Sequence, residues 1–117
     1  MISDKKRRLV YERDGFRCAA EGPHCQRFTN LTIQHRINRG MGGSKRRDSL
    51  SNLLTLCAAC NGLLESDAEF AERGRDQGWK LYSWEIPTMV PLFVTWSRQW
   101  LLLNDEGESY PASRLVG

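Results

Sequence analysis

Leu31-Thr32-Ile33-Gln34-His35-Arg36-Ile37 and, further on, Ser51-Asn52-Leu53-Leu54-Thr55-Leu56-Cys57-Ala58-Ala59-Cys60-Asn61 decide the fold. In the first run Leu31, Ile33 and Ile37 alternate with Thr32, Gln34 and Arg36, the pattern of a half-buried strand. Leu53 to Leu56 is short and apolar and fits a second strand. A helix is predicted to begin near Ala58 or Ala59 and to run to about Arg73, with Gly74 as its stop. On it Leu64, Ala68 and Ala71 form an apolar line, and Asn61 and Glu65 share a face four residues apart. Between the strands, the stretch Arg39 to Arg47 carries three glycines and four cationic side chains. It is not expected to form a regular element, and its cations are available to phosphates. Two strands, a long loop and a helix would bring His35, Asn52 and Asn61 together.

Outward from this centre, residues 4–13 suit a short helix with Leu9, Val10 and Tyr11 as its apolar positions, closed by a turn at Asp14-Gly15. Six residues, Gly22-Pro23 among them, separate Cys18 from Cys25, whereas Cys57 and Cys60 have the standard two-residue spacing. One loose and one tight pair, about thirty residues apart, predict a four-cysteine zinc site of Cys18, Cys25, Cys57 and Cys60. His24 is an alternative ligand to Cys25. Four buried cysteines acting as small apolar residues would leave the Cys57–Cys60 spacing at a helix start unexplained. Four protein ligands close the tetrahedron, so such a zinc is structural.

Beyond the helix the pattern turns to strands. Trp79 to Trp84 alternates, Pro87 and Pro91 interrupt, and Val90 to Trp96 alternates again. Gln99 to Leu103, a turn over Asn104 to Gly107, and Glu108 to Tyr110 read as a terminal hairpin. All four tryptophans fall in this last third. They are read as core and docking surface rather than as a base-stacking platform.

A chain of 117 residues makes one α+β domain, at a size where a metal staple helps. Residues 1–75 form the cysteine knuckle and core, and residues 76–117 a β-rich extension. A composition of 40% hydrophobic and 26% charged residues is that of a soluble globular protein. Charge is divided unevenly: residues 1–50 hold 12 Lys/Arg against 5 Asp/Glu, and residues 51–117 hold 5 against 9. That asymmetry favours a polyanion facing the first half, with a solvated basic face as the plainer reading. No run approaches the roughly 20 apolar residues of a membrane span, and the charged start leads into no signal-peptide core. A cytoplasmic location is expected, where cysteines serve as zinc thiolates rather than disulfides.

Glu12-Arg13-Asp14-Gly15-Phe16-Arg17-Cys18, His35, the Arg39 to Gly43 loop, Ser51-Asn52-Leu53 and Cys57-Ala58-Ala59-Cys60-Asn61 together resemble the HNH endonuclease family. The likeness is nearest to small HNH proteins of tailed actinobacterial phages. It continues through Glu65-Ser66, Gly78-Trp79 and Val90-Pro91 to the Asn104–Gly107 turn. The resemblance implies a ββα-metal core stapled by the zinc knuckle and a DNA phosphodiesterase dependent on Mg²⁺ or Mn²⁺. It also implies partners in DNA and phage terminase or packaging proteins, in the host cytoplasm. By position, His35 is the general base, Asn52 braces the loop, and Asn61 is a ligand of the catalytic ion, with Gln34 and Glu65 beside it. Arg36, Arg39, Lys45, Arg46 and Arg47 are the candidate phosphate contacts. Gln34 stands where the family usually has Asp or His, and an amide oxygen brings a ligand atom without charge. That difference favours the alternative, a zinc-containing DNA-binding or packaging accessory protein with weak or no catalysis.

Overall fold

Ser3 begins the first helix by accepting a hydrogen bond on its side chain from Lys6 N, and α1 runs over Asp4–Arg13. The structure, a computed structural model, describes residues 2–39 and 45–112, with the side chains of Lys45 and Arg46 outside the description. Among the described residues the arrangement is α+β, with three α-helices and two small sheets. Strands β1 (Leu31–His35) and β2 (Leu53–Cys57) pair antiparallel, with His35 opposite Leu53 and Leu31 opposite Cys57. Helix α2 (Ala58–Ser66) follows β2 directly. Helix α3 (Ala68–Gln77) leads to a three-stranded sheet of β3 (Leu92–Val94), β4 (Gln99–Leu103) and β5 (Ser109–Pro111) in that order.

The single helix expected from 58 to 73 is two. Asp67 is extended, and its carboxylate accepts from Phe70 N at 2.9 Å while its own N–H donates to Leu63 O at 2.9 Å. It therefore ends one helix and caps the next, a role that short acidic side chains fill well. Gly74 is not the stop. It lies inside α3, where a Cβ would come 2.5 Å from Leu64 Cδ2, so the missing side chain lets α3 close on α2. The stop is Gly78, left-handed at φ +81°. The buried line across the two helices is Cys60, Leu64, Phe70 and Gly74 rather than Leu64, Ala68 and Ala71.

Alternation along β1 is present, but its polar side faces inward. Pairing puts Thr32 and Gln34 beside Leu56 and Leu54, the residues of β2 in the larger core. Ile33 and His35 lie beside Thr55 and Leu53 on the other face, where Leu53 joins Val10 of α1 in the second core. The β1–β2 pair is covered on both sides, so neither face is a solvent face.

Arg36 explains how a polar residue can occupy the inward position. Its side chain is fully buried. It donates to the carbonyls of Gly78 (2.9 Å), Ser51 (3.0 Å), Pro87 (3.0 Å) and Val90 (2.7 Å). One guanidinium, with five N–H groups in a fixed fork, thereby ties the end of β1 to the segment before β2 and to the chain after α3. Burial lowers its pKa to about 9, which leaves it cationic at neutral pH.

That tie also accounts for the strand expected at Trp79–Trp84, which is absent. Leu81 N donates to Arg36 O, Trp79 N to Gly74 O and Tyr82 N to the Glu85 carboxylate, so no ladder partner remains for them. Trp79 is buried against Phe70, with its indole N–H on Phe93 O at 2.7 Å. The terminal hairpin is present, with Leu102 opposite Tyr110. The Val90–Trp96 run contracts to Leu92–Val94.

Candidate metal centre and candidate nuclease site

Cys57 caps α2, its sulfur accepting from Cys60 N, while Cys18 and Cys25 come from the turn-rich segment before β1. All four sulfurs lie within 4.8 Å of one another, and none is in a disulfide. A tetrahedral Zn–S₄ site with bonds of about 2.3 Å needs sulfurs about 3.8 Å apart, and Cys25 and Cys57 stand at 3.9 Å. Backbone N–H groups of Gly22, Gln26 and Arg27 point at the sulfurs of Cys60, Cys57 and Cys25, each at 3.3 Å. Such donors favour thiolate. A hydrogen bond from Cys60 lowers the Cys18 thiol to about 5, and the same bond, with burial, pushes Cys60 up. Burial raises Cys25 to about 11. Four sulfurs so placed could hold a metal ion such as zinc. The grouping includes Cys25 and no histidine, so His24 is not needed as a ligand.

His35 is about one-fifth exposed, and its Nε2 lies 2.9 Å from Asp48 Oδ1. Burial alone would raise the Asp48 carboxyl, but the His35 hydrogen bond and the Arg39 charge outweigh it and hold the pKa below the usual range. An ionised carboxylate only accepts, so the proton of the neutral imidazole sits on Nε2. Nδ1 then carries the lone pair, and it has no hydrogen-bond partner among the described residues. Asp48 was not anticipated from sequence. Its only signal is an acid closing a run of three cations, at the end of a 3-10 turn over Lys45–Asp48.

Asn52 is buried between two backbone segments. Its Oδ1 accepts from Ile37 N at 2.8 Å, and its Nδ2 donates to Ile37 O at 3.2 Å and Arg47 O at 2.7 Å. One amide thus clasps the chain on either side of the 38–46 stretch. Arg36 N also donates to Asn52 O at 2.8 Å, which sets this amide beside the end of β1 that bears His35.

Asn61 is not with them. Its Nδ2 donates to Thr32 Oγ1 at 2.9 Å. Thr32 lies three residues from His35, about 10 Å along a strand, and on the opposite face. The period of two along β1 forbids the three-way convergence expected from spacing alone. Gln34, only 4% exposed, shares the Thr32 face, and its Nε2 donates to Trp79 O at 3.4 Å. Both amide orientations are determined by their partners. Trp79 O can only accept, and the Thr32 hydroxyl already donates to Leu56 O at 2.8 Å. Each amide oxygen therefore points away from these bonds. Glu65, exposed, stands 3.5 Å from Lys80 Nζ.

Among the candidate phosphate contacts, Arg36 is withdrawn, because it is buried and its donors serve carbonyls. Arg39 pairs with Asp48 Oδ2 at 3.2 Å. Arg47 lines a cavity of about 400 Å³. Residues 40–44 and the side chains of Lys45 and Arg46 lie outside the described residues. Among the described residues no helix is long and apolar enough to cross a membrane. Comparison with protein-family models, with curated proteins and with solved structures finds no match to this chain.

Proposed function

We propose that the chain is a zinc-stapled HNH-type endonuclease that hydrolyses DNA phosphodiester bonds. The observation that carries this reading is the His35–Asp48 pair, at one end of a chain stretch clasped by Asn52. It agrees with the β1–β2–α2 order and with the cysteine cluster at the start of α2. His35 Nδ1 takes the proton of the attacking water, and the Asp48 carboxylate holds the imidazolium that forms. Asn52 keeps the flanking backbone from moving as that charge develops. Zinc at Cys18, Cys25, Cys57 and Cys60 would be structural, since four thiolates leave no open position.

The amide oxygens of Gln34 and Asn61 and the Glu65 carboxylate make an oxygen-rich set suited to Mg²⁺ or Mn²⁺. Gln34 and the Thr32 that Asn61 meets stand on the face of β1 opposite His35. An ion held there would sit apart from the water that His35 activates, so the hydrolytic reading rests on His35 and Asp48. One formal charge in the set implies weak binding, completed by oxygens of the substrate. The basic first half of the chain supports DNA as the partner; phage origin and packaging partners rest on the resemblance alone.

A second reading is a DNA-binding accessory protein without catalysis. The observation favouring it is Lys80, whose ammonium already neutralises Glu65, the one carboxylate of that set.

Plasmid cleavage by purified protein, compared with Mg²⁺, Mn²⁺, Ni²⁺, Zn²⁺ and a chelator, separates the two. The nuclease reading expects cutting at millimolar-scale Mg²⁺ or Mn²⁺. DNA binding without cutting under any of these conditions selects the accessory protein.

A further inference from the structure

Three planar groups, one from the last turn of α3 and two from the chain after it, stack in a column. The rings of Tyr82 and Trp84 are parallel within 3°, with centroids 4.6 Å apart. The Arg75 guanidinium carbon lies 3.8 Å from the Tyr82 centroid. A ring has two faces, so Arg75 and Trp84 take opposite sides of Tyr82 and Trp84 ends the column. Trp84 is 74% exposed. A closed turn holds the two rings in place, with Tyr82 N on Glu85 Oε1 at 2.8 Å and Glu85 N on Tyr82 O at 3.0 Å. Leaving a large flat ring in water is costly unless something covers it.

We propose that Trp84 is a stacking platform for an unpaired nucleobase of single-stranded nucleic acid, the next layer on the Arg75–Tyr82–Trp84 column. Every base offers a π face to such a platform, and the bases of an intact duplex are already stacked on both sides. The ligand is therefore a single-stranded segment, a frayed end or a flipped nucleotide. The position in the fold agrees. Ser83 and Glu85, on either side of Trp84, line the 400 Å³ cavity together with Arg47 and Asn52. The cavity's two carboxylates are already engaged, Glu85 with Tyr82 N and Asp105 with Ser51 N. What this end of the site recognises is therefore the base rather than the phosphate. At Trp84 this replaces the expectation that the tryptophans serve only as core and docking surface.

The inference rests on the reading that the chain acts on nucleic acid, and its test is separable from cleavage. Fluorescence anisotropy of a labelled oligothymidylate of about 12 nucleotides, within the range of single-strand sites, is compared with an abasic chain of the same length. Trp84→Ala should weaken oligothymidylate binding about tenfold or more, and Trp84→Phe should restore most of it. Neither variant should alter binding of the abasic chain. No binding of oligothymidylate by the parent overturns the proposal. So does parent-like binding by a folded Trp84→Ala protein, which would leave the exposed ring to a protein partner. A parent that stacks the oligonucleotide but cuts no plasmid rejects the nuclease and keeps the platform; plasmid cutting with Trp84→Ala binding as tightly as the parent does the reverse.

Discussion

The cysteine cluster, indicated by spacing, and the β1–α2 side-chain set, implied by the family resemblance, differ in how their side chains are held. At the cysteines, four side chains from two distant segments converge, and backbone donors turn toward their sulfurs. At Gln34, Asn61 and Glu65, each side chain has a protein partner: Trp79 O, Thr32 Oγ1 and Lys80 Nζ. Thiolates so close together repel one another unless a cation or protons intervene, so the first group points to a metal. The second group is already partnered within the chain and would draw in an ion only weakly. Convergence, rather than the presence of ligand-type residues, separates a strong metal site from a weak one.

The largest effect should come from the cysteines. Cys57→Ala or Cys60→Ala, or zinc removal with a strong chelator, should unfold the domain, since structural zinc contributes about 10–16 kcal/mol in small zinc domains. Circular dichroism together with metal analysis checks this. Well-folded protein carrying no zinc would place the two regions on the same footing.

Next comes Arg36. Arg36→Met leaves four carbonyls without their donor, two of them buried and two half-buried, and each buried orphaned group costs about 1–3 kcal/mol. A loss of at least about 3 kcal/mol in urea unfolding is expected, against less than about 1 kcal/mol for Arg39→Ala, whose ion pair is partly solvated. Equal losses would return Arg36 to the surface as a phosphate contact.

Gly78→Ala should cost about 1–3 kcal/mol. The residue is left-handed at φ +81°, and a Cβ there would run into the Pro91 carbonyl and Leu92 Cα. Thermal unfolding reads the change, and a neutral result would mean that α3 does not end there.

The smallest effect is electrostatic. Because Asp48 has a lowered pKa when folded, its contribution is complete above the unfolded carboxylate pKa and is lost as pH falls through the folded value. Asp48→Asn should therefore be less stable than the parent at neutral pH, and the gap should close in acid. A gap independent of pH would remove the His35–Asp48 interaction as its source.

Much of this arrangement was legible before the structure. Strand period at 31–35, 53–57 and 99–103, the Cys57–Cys60 spacing at a helix start and the turn at Asn104–Gly107 are local signals whose elements are present, whereas the same period at Trp79–Trp84 marks no strand. The break at Asp67 was also local, an N-cap residue overlooked within an apolar pattern. What could not be read locally were the faces. Thr32, Gln34 and Arg36 look like a solvent face because they are polar, yet they turn inward because α1 covers the other side and residues 78–90 supply carbonyls to Arg36. Those partners lie more than forty residues away, beyond any window of periodicity. For the same reason Asn61 was grouped with His35, although strand alternation separates them.

The central claim is that His35 acts as a base held by Asp48, and His35→Ala tests it most directly. Single-turnover plasmid cleavage should fall about a hundredfold or more, the usual scale for a general base, with zinc content and DNA affinity unchanged. Cleavage at the parent rate would contradict the account, reducing the His35–Asp48 pair to a structural contact.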